Sequence, residues 1–176
     1  MVEIPKEWKP AGAGEEEIDY CLYDLVASGT TASVDVTFFN HTRSGDGVAV
    51  TNTELAGQLP ATQRFLIKNM ELLVDVNAAA GDSADVLDAA VLELYINNKL
   101  YYSAPGIIFS QTTHRSTTGT AELGGSVNNV RFEFDKAIAL IGGVPFKAVM
   151  RIGKSAVSAS TDLTVMLRGR LIRTAG

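Results

Sequence analysis

Phe65-Leu-Ile-Lys-Asn-Met-Glu-Leu-Leu-Val-Asp-Val76 decides the fold class. Met70, Leu72, Val74 and Val76 hold one phase of a two-residue period, and Asn69, Glu71, Leu73 and Asp75 hold the other. Successive side chains of a strand point to opposite faces, so this alternation suits a long β-strand with one buried face.

The same period recurs on both sides. Upstream, Val34, Val36 and Phe38 share a face against Asp35 and Thr37 within Ser33 to Asn40. Ser44-Gly-Asp-Gly47 then supplies turn chemistry, and Val48 to Thr53 is expected as a short edge strand. Further upstream, Ile18 to Val26 fits a helical period through Ile18, Cys21, Leu22 and Leu25, and a strand period through Ile18, Tyr20 and Leu22. Its two tyrosines and the turn-like Ala27-Ser-Gly-Thr-Thr31 favour a strand.

Downstream, Val86, Leu87, Ala90 and Val91 suggest one helical turn before Leu92, Leu94 and Ile96 alternate again. Asn97-Asn98 stands where a two-residue hairpin turn belongs, because asparagine tolerates positive φ. Lys99 to Ser103 returns the strand and Pro105-Gly106 ends it. Ser110 to Asn129 reads as a long polar loop. Three more strands follow, through Val130, Phe132 and Phe134; through Phe146, Ala148, Met150 and Ile152; and through Leu163, Val165 and Leu167. Gly169 in the last run is expected to mark a β-bulge before Leu171 and Ile172.

Eight or nine strands with one helical turn describe an all-β sandwich or barrel. A chain of 176 residues, 46% apolar, suits a single core of this kind. Residues 1–17, punctuated by Pro5, Pro10, Gly12 and Gly14, read as an N-terminal arm, leaving 18–176 as the domain. Trp8 stands alone in that arm as a candidate anchor.

Charge is unevenly distributed. Residues 1–35 hold eight acids against two bases, and residues 144–176 hold six bases against one acid. A solvated strand face explains this plainly. The sharper explanation is complementarity between copies, with Trp8, Glu15, Glu16, Glu17, Arg168, Arg170 and Arg173 as candidate inter-subunit contacts.

The familiar catalytic signatures are missing. Neither His41 nor His114 has the spaced partner of a metal site, and Cys21, the single cysteine, lacks a paired base and reads as a buried hydrophobe. No G-x-S-x-G elbow or phosphate-binding loop occurs. Asp82, Asp85 and Asp88 read as an acidic solvated face rather than a calcium loop. The acidic arm lacks the clustered bases that nucleic-acid binding exploits, so no direct nucleic-acid contact is expected. The start of the chain has no apolar signal core, and no apolar run is long enough for a helical membrane span, so cytoplasmic synthesis is expected.

Two stretches carry a family resemblance. Val36-Thr-Phe-Phe-Asn40 followed by Thr51 to Met70, with its Gly57-Gln-Leu-Pro60 turn and Phe65-Leu-Ile67 strand opening, resembles major capsid proteins of tailless icosahedral, membrane-containing bacteriophages and related viruses. Leu94-Tyr-Ile-Asn-Asn-Lys-Leu-Tyr-Tyr102 with Ala104-Pro-Gly106 is similar to a later hairpin of such proteins. The resemblance implies a single eight-stranded jelly-roll barrel with an extended N-terminal arm. It also implies a structural, non-enzymatic capsid subunit of the virion that self-assembles through loops and termini. No cofactor, metal or small-molecule substrate is then expected. The implied partners are other copies, other capsid proteins and an underlying membrane or inner layer. The alternatives are a penton, spike or decoration module, or a carbohydrate-binding β-sandwich; against the last, the only Trp lies in the arm.

Overall fold

The computed structural model describes residues 6, 8–28, 35–74, 90–111, 128–129, 131–153 and 162–175. Its strands are β1 (Glu15–Ala27), β2 (Asp35–Phe38), β3 (Arg64–Val74), β4 (Ala90–Ile96), β5 (Lys99–Pro105), β6 (Ser110–Gln111), β7 (Asn128–Asn129), β8 (Phe132–Ile141), β9 (Phe146–Ile152) and β10 (Asp162–Thr174). A four-residue helix, α1 (Arg43–Asp46), and a 3-10 turn at Gly106–Phe109 complete the described elements.

Eight of these strands form two antiparallel sheets, ordered β1-β10-β3-β8 and β2-β9-β4-β5. The all-β class read from periodicity is therefore correct. The first of the eight pairs with the last, the second with the seventh, the third with the sixth and the fourth with the fifth. That is the pairing of one long hairpin wound into two layers. The two inner faces share one core, with Leu22, Phe65, Ile67, Met70, Leu163, Val165 and Leu167 from one sheet and Val36, Phe38, Leu92, Leu94, Ala148 and Met150 from the other. Each fully buried large side chain among them contributes about 1.5–3 kcal/mol of transfer free energy.

Several local expectations hold in detail. Asn97 and Asn98 both take positive φ, 49° and 60°, and close the β4–β5 hairpin. The pairing of β10 with β3 slips between Arg168 and Gly169, which is the anticipated bulge. Glycine is required there, because a Cβ would stand 1.8 Å from the carbonyl oxygen of Leu66.

Other expectations need correcting. Ala90 and Val91 open β4 instead of joining a helical turn, since β9 supplies their backbone partners. Val48 to Thr53 is not a strand: its backbone pairs with β1 in a single bridge, Thr51 opposite Asp24. Its backbone is otherwise curled by contacts of Val50 and Thr51 with Gly47. Ser44 to Asp46 belong to α1, whose N-cap Thr42 accepts from the Gly45 amide. The expected long loop contains the short β6–β7 pair. The first strand begins at Glu15, three residues before the apolar alternation starts, because cations of β10 and β3 stand ready for its three glutamates. Asp82, Asp85, Asp88, His114, Val86, Leu87 and Val130 lie outside the described residues.

Candidate assembly surfaces

The β1-β10-β3 sheet carries a ladder of ion pairs, with Glu17, Arg170, Arg168 and Glu71 on its outer face and Glu16 with Arg173 in the other phase at its end. Antiparallel pairing of β1 with β10 runs from Glu15 opposite Thr174 to Ala27 opposite Asp162, which brings the acidic start of the chain against its basic end. Glu16 meets Arg173 at 2.6 Å and Glu17 meets Arg170 at 2.8 Å. Arg168 lies 2.8 Å from the carboxylate of Glu71 on β3, and Arg131 approaches the same carboxylate at 2.8 Å. The charge asymmetry of the sequence is thus joined within one chain. The arginine side chains of these rungs remain nearly half-exposed, so each surface pair contributes at most about 1 kcal/mol.

Glu15 belongs to a different contact. Its carboxylate accepts from Arg64, at 2.9 Å, and from the Gly12 amide, at 2.8 Å. The Gly12 amide first, and Arg64 second, hold Glu15 below the ordinary carboxylate pKa. Arg64 also donates to the carbonyls of Lys9 and Pro10, at 3.4 and 3.3 Å. The segment beside half-buried Trp8 is thereby pinned to β3.

A second polar cluster fixes the long connection between β2 and β3. Asp24 faces inward on β1, in phase with Leu22 and Val26, and is fully buried. It accepts from the Phe39 amide and from His41 Nδ1, at 3.1 and 3.2 Å to its two oxygens. Burial pushes the Asp24 pKa up, and the Phe39 and His41 contacts oppose that rise. Phe39 holds φ at 69°, a conformation costing about 1–3 kcal/mol for a residue with a Cβ. Its ring, buried 5.2 Å from that of Phe146, and its amide bond to Asp24 offset the strain. Thr51 donates to the Tyr23 carbonyl at 2.9 Å and Thr53 to the His41 carbonyl at 2.8 Å. The result is a stiff connection that presents Val48 and Leu55, 56% and 42% exposed, to solvent. On the other sheet Leu100 and Tyr101 are similarly exposed on β5, an edge strand.

The outer face of the second sheet has its own centre. Arg151 on β9 bonds Glu93 and Asp35, each at 2.7 Å, and the Tyr95 hydroxyl donates to Glu93 at 2.7 Å. Burial would raise the Glu93 pKa, but bonds from Arg151 and Tyr95 overcome it and hold the carboxyl below its ordinary value.

Compared with known proteins, the chain matches no family model, no curated protein and no solved structure.

Sequence alone pointed to six of the ion-paired residues, Glu15, Glu16, Glu17, Arg168, Arg170 and Arg173, but not to Arg64, Glu71 and Arg131. Glu71 showed only as a polar residue in an alternating strand. Asp24 left a trace, being a carboxylate in the apolar phase of Ile18, Tyr20 and Leu22. His41 left none. Among the described residues, no group of three or more metal-ligating side chains converges, and no helix is long and apolar enough to cross a membrane.

Proposed function

We propose that the chain is a capsid subunit of a virion, folded as an eight-stranded jelly roll, whose copies assemble into an icosahedral shell through loops and termini. The observation that carries this reading is the nested strand pairing, first with last inward to fourth with fifth, in two four-stranded sheets. Two interlocked Greek keys of this kind build viral capsid domains, although lectins and cupins share them. The resemblance of Val36 to Asn40 and Thr51 to Met70 to phage capsid proteins selects among these.

The physical arrangement suits a shell. In this reading copies meet through loops, termini and exposed side chains. The β2–β3 connection, stiffened at Asp24, offers Val48 and Leu55 for such contacts at little entropic loss. Other capsid proteins and an underlying membrane or inner layer complete the proposed setting. The chain would be made in the host cytoplasm and reside in the virion.

Light scattering and electron microscopy of the purified chain test this. Closed particles or ring-shaped oligomers are expected. A monodisperse monomer at every concentration and ionic strength would overturn it.

A further inference from the structure

The bulge between β10 and β3 opens a hollow on the outer face of the first sheet. Arg168 pairs with Asn69 and Gly169 with Ile67, so Lys68 has no partner residue across the strand. Gly169 adds no side chain, and a cleft of about 370 Å³ results, lined among others by Asp19, Cys21, Lys68, Asn69, Arg131 and Arg168.

Two observations point to a ligand here. Asn69 is 8% exposed, yet its Oδ1 has no hydrogen-bond partner among the described residues. Buried polar atoms are nearly always satisfied, so an orphaned one marks the place of a missing partner. The second is a cluster of cations. Arg131 and Arg168 both approach the buried Glu71 carboxylate through Nε, at 2.8 Å. Lys68 has no ion-pair partner among the described residues. Lys68, Arg131 and Arg168 stand here against Asp19 and Glu71, with Glu133 opposite Asn69 on β8.

We propose that this cleft binds a carboxylate with a hydroxyl beside it, the chemistry of a uronic acid. The Lys68 ammonium and the guanidinium nitrogens of Arg131 not engaged with Glu71 receive the carboxylate in charge-assisted bonds. The neighbouring hydroxyl donates to Asn69 Oδ1. With the surrounding acids and bases balanced, a monoanion fits better than a phosphate dianion. Recognition rests on ion pairing, so it does not need the aromatic platform that neutral sugars use.

The test is calorimetric titration of the full chain with glucuronate, glucose, acetate and inorganic phosphate at constant ionic strength. Labelling of Cys21 runs in parallel, at alkaline pH because burial raises its thiol pKa. Glucuronate is expected to bind saturably and to slow Cys21 labelling, glucose to do neither, and acetate and phosphate to bind more weakly. Lys68→Gln should weaken glucuronate at least about tenfold, the worth of one charged hydrogen bond. Asn69→Leu should bring glucuronate down to the acetate level while leaving acetate unchanged. Absence of saturable binding overturns the proposal, as does binding that leaves Cys21 labelling unaltered or phosphate binding as tight as glucuronate. Lys68 is a partly exposed lysine, so Lys68→Gln keeps the test decisive even if Asn69→Leu fails to fold. Binding here does not depend on assembly, and its failure leaves the capsid reading untouched.

Discussion

The backbone amide of Phe39 donates to the carboxylate of Asp24, tying the end of β2 to the inner side of β1 across the corner where the two sheets meet. The positive φ of Phe39 makes this bond possible, and the bond in turn helps hold that strained conformation. Asp24→Ala removes the acceptor and leaves a buried N–H unpaired, so a loss of about 1–3 kcal/mol is expected in urea denaturation. Asp24→Asn keeps an oxygen for Phe39 and should lose less. The raised Asp24 pKa means that the folded state prefers the protonated carboxyl. Its contribution is fully present below the ordinary value of 3.8 and is lost as pH rises through the higher folded value. Asp24→Asn cannot ionise, so relative to wild type it should gain stability as pH rises through that window.

Gly169→Ala is expected to destabilise by at least about 2 kcal/mol, the scale of overpacking into rigid surroundings. The new methyl group would overlap the Leu66 carbonyl, which is backbone and cannot rotate away. The denaturation midpoint reports it. Gly143→Ala is a useful contrast, because no atom lies within 4 Å of its added Cβ and only its φ of 76° opposes the change.

Glu93 gives acid sensitivity of the opposite sign to Asp24. Its carboxyl lies below the ordinary 4.5, so its stabilising contribution is present above that value and fades as pH falls through the lower folded value. Arg151 is half-exposed, which limits the effect to about 1 kcal/mol. Glu93→Gln should remove this part of the acid transition, seen as a smaller change in denaturation midpoint between neutral and acidic buffer.

Tyr102 is packed against Phe132 and Phe134, with centroids at 4.8 and 4.9 Å, and burial pushes its hydroxyl pKa up to about 12. The folded state therefore prefers the neutral phenol. This contribution is intact below the ordinary value of 10.0 and is lost as pH rises through about 12. Ultraviolet titration should show a phenolate transition near about 12 that Tyr102→Phe removes.

Glu17 and Arg170 can be exchanged to separate folding from assembly. Arg170→Glu places a third carboxylate beside Glu17 and Asp19 and should cost up to about 1 kcal/mol. Adding Glu17→Arg restores an ion pair across the strands and should recover that stability. The exchange also reverses the charges that neighbouring copies would meet, so particle yield at low salt should stay reduced. Full recovery of yield would confine the pair's role to a single subunit.

Much of the fold was legible because it is written in short-range patterns. The alternation of Met70, Leu72 and Val74, the Asn97-Asn98 turn and the Gly169 bulge each depend on a few neighbouring residues. The errors arose where partners are distant. Ala90 and Val91 look helical beside Val86 and Leu87, and it is β9 that draws them into a strand. The charged ends were visible as charge, but the rung between Glu16 and Arg173 depends on strand register.

Side-chain periodicity by itself determined that this chain makes strands, which faces of them are apolar and where the tight turns fall, since φ/ψ preference and alternation act over a few residues. Tertiary structure alone decided that the first strand closes against the last, that Asp24 is buried beneath Phe39 and His41, and that Asn69, Lys68 and Arg131 converge at the bulge. Those relationships come from closing loops over long separations. Their free energy lies in shared burial of two sheets, a property of the wound hairpin as a whole and of no single segment.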